Sequence, residues 1–262
     1  MVTRVDGSAA VAVGTPPLTR GEALAVQVRH EVVWFFRRPW PWLNGVAFNL
    51  VLSLLYLVVQ PLTGQPHRDW AILVGTYFAV WILADVTTTN ILGADAVRVD
   101  AELTHDVPLG RILIVKNVTL LLVVGLPTLA ATAVITVTEE ASHRLVITLP
   151  GVLLPILTWL GVGNLISVLL PVATRPWRER WEQRREVRPT ARWLVALGLP
   201  YALLVAAEPI AAVPRIVLRH ARFLPPTFAV RGAVLGGLGL TLWALSTGLA
   251  LLVHHLRPVR IS

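Results

Sequence analysis

Six apolar runs alternate with short arginine-rich pieces along this chain, at roughly residues 42–60, 70–92, 112–137, 145–170, 193–213 and 229–253. A hydrocarbon core of about 30 Å takes about 20 helical residues to cross. Backbone in lipid must satisfy its own hydrogen bonds, so each run is predicted as a transmembrane helix. Pro127, Pro150, Pro155 and Pro200 fall inside these runs and are expected to kink them without ending them. Pro150 and Gly151 leave the start of the fourth run open.

Four segments outside the runs carry patterns of their own. In residues 22–38, Leu24, Val28, Val32, Phe35 and Phe36 share about a third of a helix circumference, with Gln27, Arg29, His30, Arg37 and Arg38 elsewhere. That pattern predicts an amphipathic helix on the membrane surface; a frayed extension is the alternative. Residues 93–111 wind into a mixed-charge helix with Asp95, Arg98, Glu102, His105 and Asp106 on one stripe, ended by Pro108. Such a helix suits docking of a soluble partner, against the plainer reading of a solvated loop. Residues 171–192 hold seven arginines and two tryptophans, which fits either an anionic-lipid anchor or a contact with a partner. In residues 209–226, prolines bracket a stretch too short to cross, with Arg215, Arg219 and Arg222 on one face. A short helix dipping into the outer leaflet is expected there, with an exposed turn as the alternative.

Composition agrees with this pattern. Of 262 residues 55% are hydrophobic and 15% charged, against about 25% charge in a typical soluble domain. A soluble enzyme, a secreted disulfide scaffold and a nucleic-acid-binding domain are thereby excluded. The net charge of +8 traces to loops beside the apolar runs. With no cysteine, there are no disulfides, thiolate nucleophiles or cysteine-held metals. Seventeen basic residues fall on one side of the six runs and six on the other. The positive-inside bias therefore predicts both termini to be cytosolic. Residues 1–20 have only a five-residue apolar run and read as a disordered cytosolic tail.

These parts, in this order, resemble the ABC-2-type permease, the membrane subunit of an ATP-binding cassette exporter. The resemblance covers about residues 20–258 and rests on RHEVVWFFRRP, on LGADAVRVDAELTHDVPLGRILIVKN with Pro108, Arg111 and Lys116, and on GNLISVLLP. It implies an all-α polytopic membrane protein with six transmembrane helices, an N-terminal amphipathic connecting helix, a cytosolic coupling helix and a short outer re-entrant helix. Residues 21–262 would form the permease domain. The resemblance further implies a second permease chain, identical or different, and a separate ATPase subunit that binds ATP and Mg. The chain has no GxxxxGK[ST] loop of its own. It is not expected to be an enzyme, to hold a cofactor or metal, or to bind nucleic acid. Its expected location is the bacterial plasma membrane, in contact with lipid through Phe35, Phe36, Arg37, Arg38, Arg215, Arg219 and Arg222. The ATPase would dock on Asp95, Arg98, Asp100, Glu102, His105, Asp106, Pro108 and Arg111.

Ionisable groups inside transmembrane runs are costly and point to function. Asp85 and Glu208 are the candidates for the substrate path, which in this family transports amphipathic or lipid-like molecules outward. Asp85 is alternatively capped by Thr87–Thr89 or ion-paired, and Glu208 alternatively pairs with Arg215. The competing function is an ion-coupled secondary carrier that uses these same two acids. Lys116 and Arg231 are expected to snorkel. Asn49, Asn90, Asn117 and Asn164 are candidates for hydrogen bonds between helices, and Gly232 with Gly236 for close helix packing.

Overall fold

In the computed structural model, residues 23–36, 51, 90–173, 186–206 and 227–259 are described. All regular structure among them is helical. Helix α1 is Leu24–Phe35. A 3-10 turn at Gly93–Asp95 leads into α2, Ala96–Thr104. Helix α3 is Leu109–Glu140, and a second 3-10 turn, Ser142–Arg144, leads into α4, Leu145–Leu169. Helix α5 is Val187–Ala206 and α6 is Phe228–Leu256. Apart from Val51 and residues 90–92, the first, second and re-entrant predicted segments lie outside the described residues, as do the tail and residues 174–185.

Three helical stretches, Leu109–Glu140, Ser142–Leu169 and Phe228–Leu256, are long and apolar enough to cross a membrane. They match the third, fourth and sixth apolar runs. Helix α3 begins and ends about one turn outside the run because its ends are polar. The 22 residues between Lys116 and Glu139 carry no charge. At 1.5 Å per residue they cover about 33 Å, close to the thickness of a hydrocarbon core. The first turns of α3, with Arg111 and Lys116, project beyond that stretch.

The prolines do not end the helices that contain them. Pro150 and Pro155 both lie inside α4, which starts ahead of them at Leu145. Pro127 follows a π-helical segment, Leu121–Gly125, whose wider turn relieves the ring's conflict with the preceding carbonyls. Beyond it, the buried Thr128, Thr132 and Thr136 donate their hydroxyls to the carbonyls of Val124, Thr128 and Thr132, at 2.7–2.8 Å. Three polar side chains on one stripe are thus satisfied within their own helix.

Helices α4 and α6 run in the same direction, packed through glycines. A Cβ on Gly232 would overlap the Val146 carbonyl oxygen. One on Gly239 would sit 3.1 Å from Leu154 Cα, and one on Gly161 2.8 Å from Trp243 Cα. The close contact therefore uses Gly232 and Gly239, seven residues apart. At Gly236 an added Cβ meets only Pro150 Cβ, at an ordinary 3.8 Å. A polar layer joins α3, α4 and α6: Asn117 Nδ2 donates to Asn164 Oδ1 and Asn164 Nδ2 to Thr247 Oγ1, each at 2.8 Å. All three residues are buried. The start of α3 therefore lies at the same end of the bundle as the ends of α4 and α6.

Substituting Gly232→Leu or Gly161→Leu is expected to force α4 and α6 apart and cost about 1–3 kcal/mol or more. Gly236→Ala and Gly237→Ala should be neutral or stabilising by up to about 1 kcal/mol, because neither methyl meets a backbone. Thermal unfolding of the detergent-purified chain separates the two classes.

Candidate functional site

At that end of the bundle, α1, α2 and the root of α3 meet around buried charge. Residue Asn90 sets the approach to α2. Its Nδ2 donates to the Val172 carbonyl at 2.6 Å and its Oδ1 accepts from the Val172 amide at 3.0 Å. Ser167 Oγ accepts from the Ile91 amide at 3.0 Å. A Cβ on Gly93 would overlap the Val172 carbonyl oxygen, so only glycine lets the chain pass this close to the end of α4. These contacts fix where α2 starts. Its far end is closed by two backbone bonds, Val107 N to the Glu102 carbonyl at 3.1 Å and Asp106 N to the Leu103 carbonyl at 3.2 Å. This is a Schellman cap, and its left-handed residue is Asp106, with φ of 57°.

Between these limits α2 turns one face inward. Arg98 is 8% exposed and Glu102 is fully buried. Opposite them stand Glu31 of α1, fully buried, and Lys116 of α3, 3% exposed. Glu31 accepts through both carboxylate oxygens, Oε2 from Arg98 Nη2 and Oε1 from Lys116 Nζ at 2.9 Å. Asp95 Oδ2 lies 2.6 Å from Arg98 Nε and 3.5 Å from Lys116 Nζ. Glu102 Oε1 lies 3.5 Å from Arg98 Nε. The Trp34 ring closes one side, with Arg98 Cζ and Lys116 Nζ 5.2 and 5.3 Å from its centroid. One turn earlier on α1, the buried Gln27 accepts from Arg111 Nε at 2.8 Å.

Gln27 meets Arg111, Val28 packs with Val115, and Glu31 meets Lys116. Helix α1 therefore runs alongside the first turns of α3. Its expected apolar stripe divides accordingly. Val28 and Phe35 are buried in the protein, Val32 is half-buried, and Leu24 and Phe36 are exposed. Of the proposed lipid contacts among the described residues, Phe36 faces outward and Phe35, 6% exposed, joins the core.

The proposed docking residues divide in the same way. Asp95, Arg98 and Glu102 face the cluster and Arg111 binds α1. Asp100, His105, Asp106 and Pro108 are exposed, together with Thr104 and Val97, the latter 88% exposed. The expected stripe treats residues 93–111 as one regular helix. The 3-10 turn before α2 and the left-handed cap after it rotate the ends away from that register. His105 caps its own helix, Nδ1 donating to the Ala101 carbonyl at 2.7 Å. Arg37, Arg38, Asp85, Glu208, Arg215, Arg219 and Arg222 lie outside the described residues.

Sequence reading missed Glu31 and Gln27 and placed Lys116 as a snorkelling residue. Lys116 is instead the buried centre of the site. It is also the only lysine in the chain, a signal that marks it out. Among the described residues no group of histidines and acids is arranged to hold a metal. Three carboxylates, Glu31, Asp95 and Glu102, lie around Arg98 and Lys116. Burial pushes the Asp95 carboxyl up to about 6, against the opposing pull of Lys116 and with added repulsion from Glu102. The packed state thus binds this proton more tightly than an opened one. Stability contributed through Asp95 falls as pH rises between about 4 and about 6.

Lys116→Met is expected to cost about 3–5 kcal/mol, because Glu31 and Asp95 then lose a buried cationic partner. Glu31→Gln, which keeps an oxygen acceptor at that position, should cost less, about 1–3 kcal/mol. Asp95→Asn should stabilise by on the order of 1–3 kcal/mol near neutral pH, a gain that vanishes toward pH 4. Asp106→Gly should stabilise by up to about 1 kcal/mol by removing left-handed strain. Unfolding of purified variants across pH reads all four. No known protein family, curated protein or solved structure matches the chain.

Proposed function

We propose that the chain is the transmembrane permease subunit of an ATP-binding cassette transporter of the ABC-2 type. In this reading it exports an amphipathic or lipid-like molecule. A separate ATPase subunit supplies ATP hydrolysis, and a second permease chain completes the path. The observation that carries the proposal is the setting of α2. It is a nine-residue helix clamped at the foot of helices long enough to cross a membrane, with one face left free. Val97, Asp100, Thr104 and Asp106 form that outward surface. A helix meant only to join two membrane crossings needs no buried ion network. A helix that must carry force between a soluble motor and membrane helices does need a rigid seat.

The division of α2 into two faces assigns the work. The outward residues contact the ATPase. Asp95, Arg98 and Glu102 position the helix against Glu31 and Lys116, so that movement of α2 passes to α1 and α3 together. In this reading α1, α2 and the root of α3 face the cytosol, the side to which the excess of basic residues in the sequence is assigned. Helix α5 fits this arrangement. Its Arg192 lies 3.4 Å from the Pro171 carbonyl, at the same end of the bundle.

Co-purification tests this reading. The chain, expressed with its genomic neighbours, should carry an ATPase with it. Val97→Arg together with Asp100→Arg should reduce ATPase recovery at least about tenfold, as expected for loss of a contact worth about 1.4 kcal/mol or more. The thermal stability of the permease itself should stay unchanged. Full ATPase retention by the double variant, or transport by the purified chain with no nucleotide-hydrolysing partner, overturns the proposal.

A further inference from the structure

At the end of the bundle away from the ion cluster, the seam between α3 and α4 holds a buried hydroxyl that its own helix does not use. Thr148, in the first turn of α4, is fully buried, and its Oγ1 has no hydrogen-bond partner among the described residues. Thr158, further along the same helix, donates to the Leu154 carbonyl at 2.8 Å in the ordinary way. Helices α3 and α4 are antiparallel, and two contacts set their register. Asn117 bonds Asn164, and a Cβ on Gly125 would lie 3.5 Å from Ile156 Cγ2. Eight residues separate these contacts along either helix. Eight more bring α3 to Ala133 and α4 to Thr148, about 12 Å beyond Gly125. Thr148 therefore stands level with Thr132, which shares a face of α3 with Gly125 and Thr136. Thr132 and Thr136 are buried too, at 1% and 0% exposure.

We propose that Thr148 and the threonine stripe of α3 form a binding site for one water molecule, which accepts the Thr148 hydroxyl proton and donates across the seam. The stripe is suited to receive it. Thr128, Thr132 and Thr136 spend their protons on carbonyls of α3, so by themselves they tie it to nothing, but each oxygen keeps a lone pair. Thr148 supplies the donor that the stripe lacks. A buried water needs two to four polar partners, and four hydroxyls lie within this stretch. Lipid cannot substitute for it, since hydrocarbon offers a buried hydroxyl nothing. Nearer the surface, Arg144 Nη1 lies 3.0 Å from Glu140 Oε2, so charged groups keep solvent at the mouth of the seam. On the inner side, Val152, Ile156, Val124 and Leu160 are buried and apolar, which confines water to the threonine level. The site belongs to the chain alone and requires no ATPase partner.

The test uses the full chain in deuterated phosphatidylcholine bilayers, whose lipid carries no hydrogen-bond donor. Magic-angle-spinning NMR with transfer from water protons should light up Thr148 in the unaltered chain, while Val152, one turn deeper, stays dark. No transfer at Thr148 overturns the proposal, and so does equal transfer at Val152, which would mean an open aqueous cleft. Thr148→Val keeps the shape and removes the hydroxyl. If a water is held there, the variant strands it, and Tm should fall by at least about 2 °C. If the hydroxyl is simply unpaired, the same change removes a buried polar group without a partner and Tm rises. An unchanged or higher Tm therefore also overturns the proposal. Thr148→Ser, which keeps the hydroxyl, should retain the water signal, and its loss there counts against the site. The spectra of the unaltered chain decide the case even where Thr148→Val does not fold.

Discussion

Glu31 accepts from Arg98 and Lys116 at once, and on that shared carboxylate the arrangement of three helices depends. It joins residues 67 and 85 positions apart in the chain. A buried ion pair is no assured source of net stability, since desolvating each charge costs several kcal/mol. Its value here is geometric. Two cations from different helices have one acceptor position that satisfies both, so α2 and α3 cannot slide against α1 without stranding a buried charge. Trp34 adds a face to which both cations are attracted. Hydrophobic packing around Val28, Val115 and Phe35 supplies cohesion, and the ions supply register.

The rest of the described bundle is built on shorter-range rules. Its apolar helices pack through glycines at one seam, and asparagines and a threonine join three helices in a polar layer. The contrast is in what each joint permits. A glycine seam excludes side chains but tolerates small rotations, and hydroxyls bonded to their own backbone carry no information between helices. The ion cluster is the one described joint with charge on every element it joins.

Periodicity made the long helices legible. The third, fourth and sixth apolar runs correspond to α3, α4 and α6, because an uncharged run near 20 residues has few other solutions. Asn117 and Asn164 were also legible, since a buried amide in an apolar helix needs a partner. The GxxxG pattern pointed to Gly232 but paired it with Gly236. Which second glycine meets the neighbouring backbone depends on where Val146 and Leu154 lie, and one helix's spacing does not contain that. Glu31 was invisible for a deeper reason. On α1 alone it belongs to the polar side of an amphipathic pattern, and only the opposing Arg98 and Lys116 make its burial favourable. A single-helix reading assigns polar residues to water by default.

The lysine of the cluster has an experimental consequence. With 22 arginines and a single lysine in the sequence, the whole chain offers amine-directed chemistry one side chain, and that side chain is 4% exposed. Acylating reagents and lysine-directed cross-linkers would therefore leave the body of the closed molecule unmarked. Any modification at this position would record a moment when the seat beneath α1 had parted, turning an apparently inert surface into a counter of rare openings.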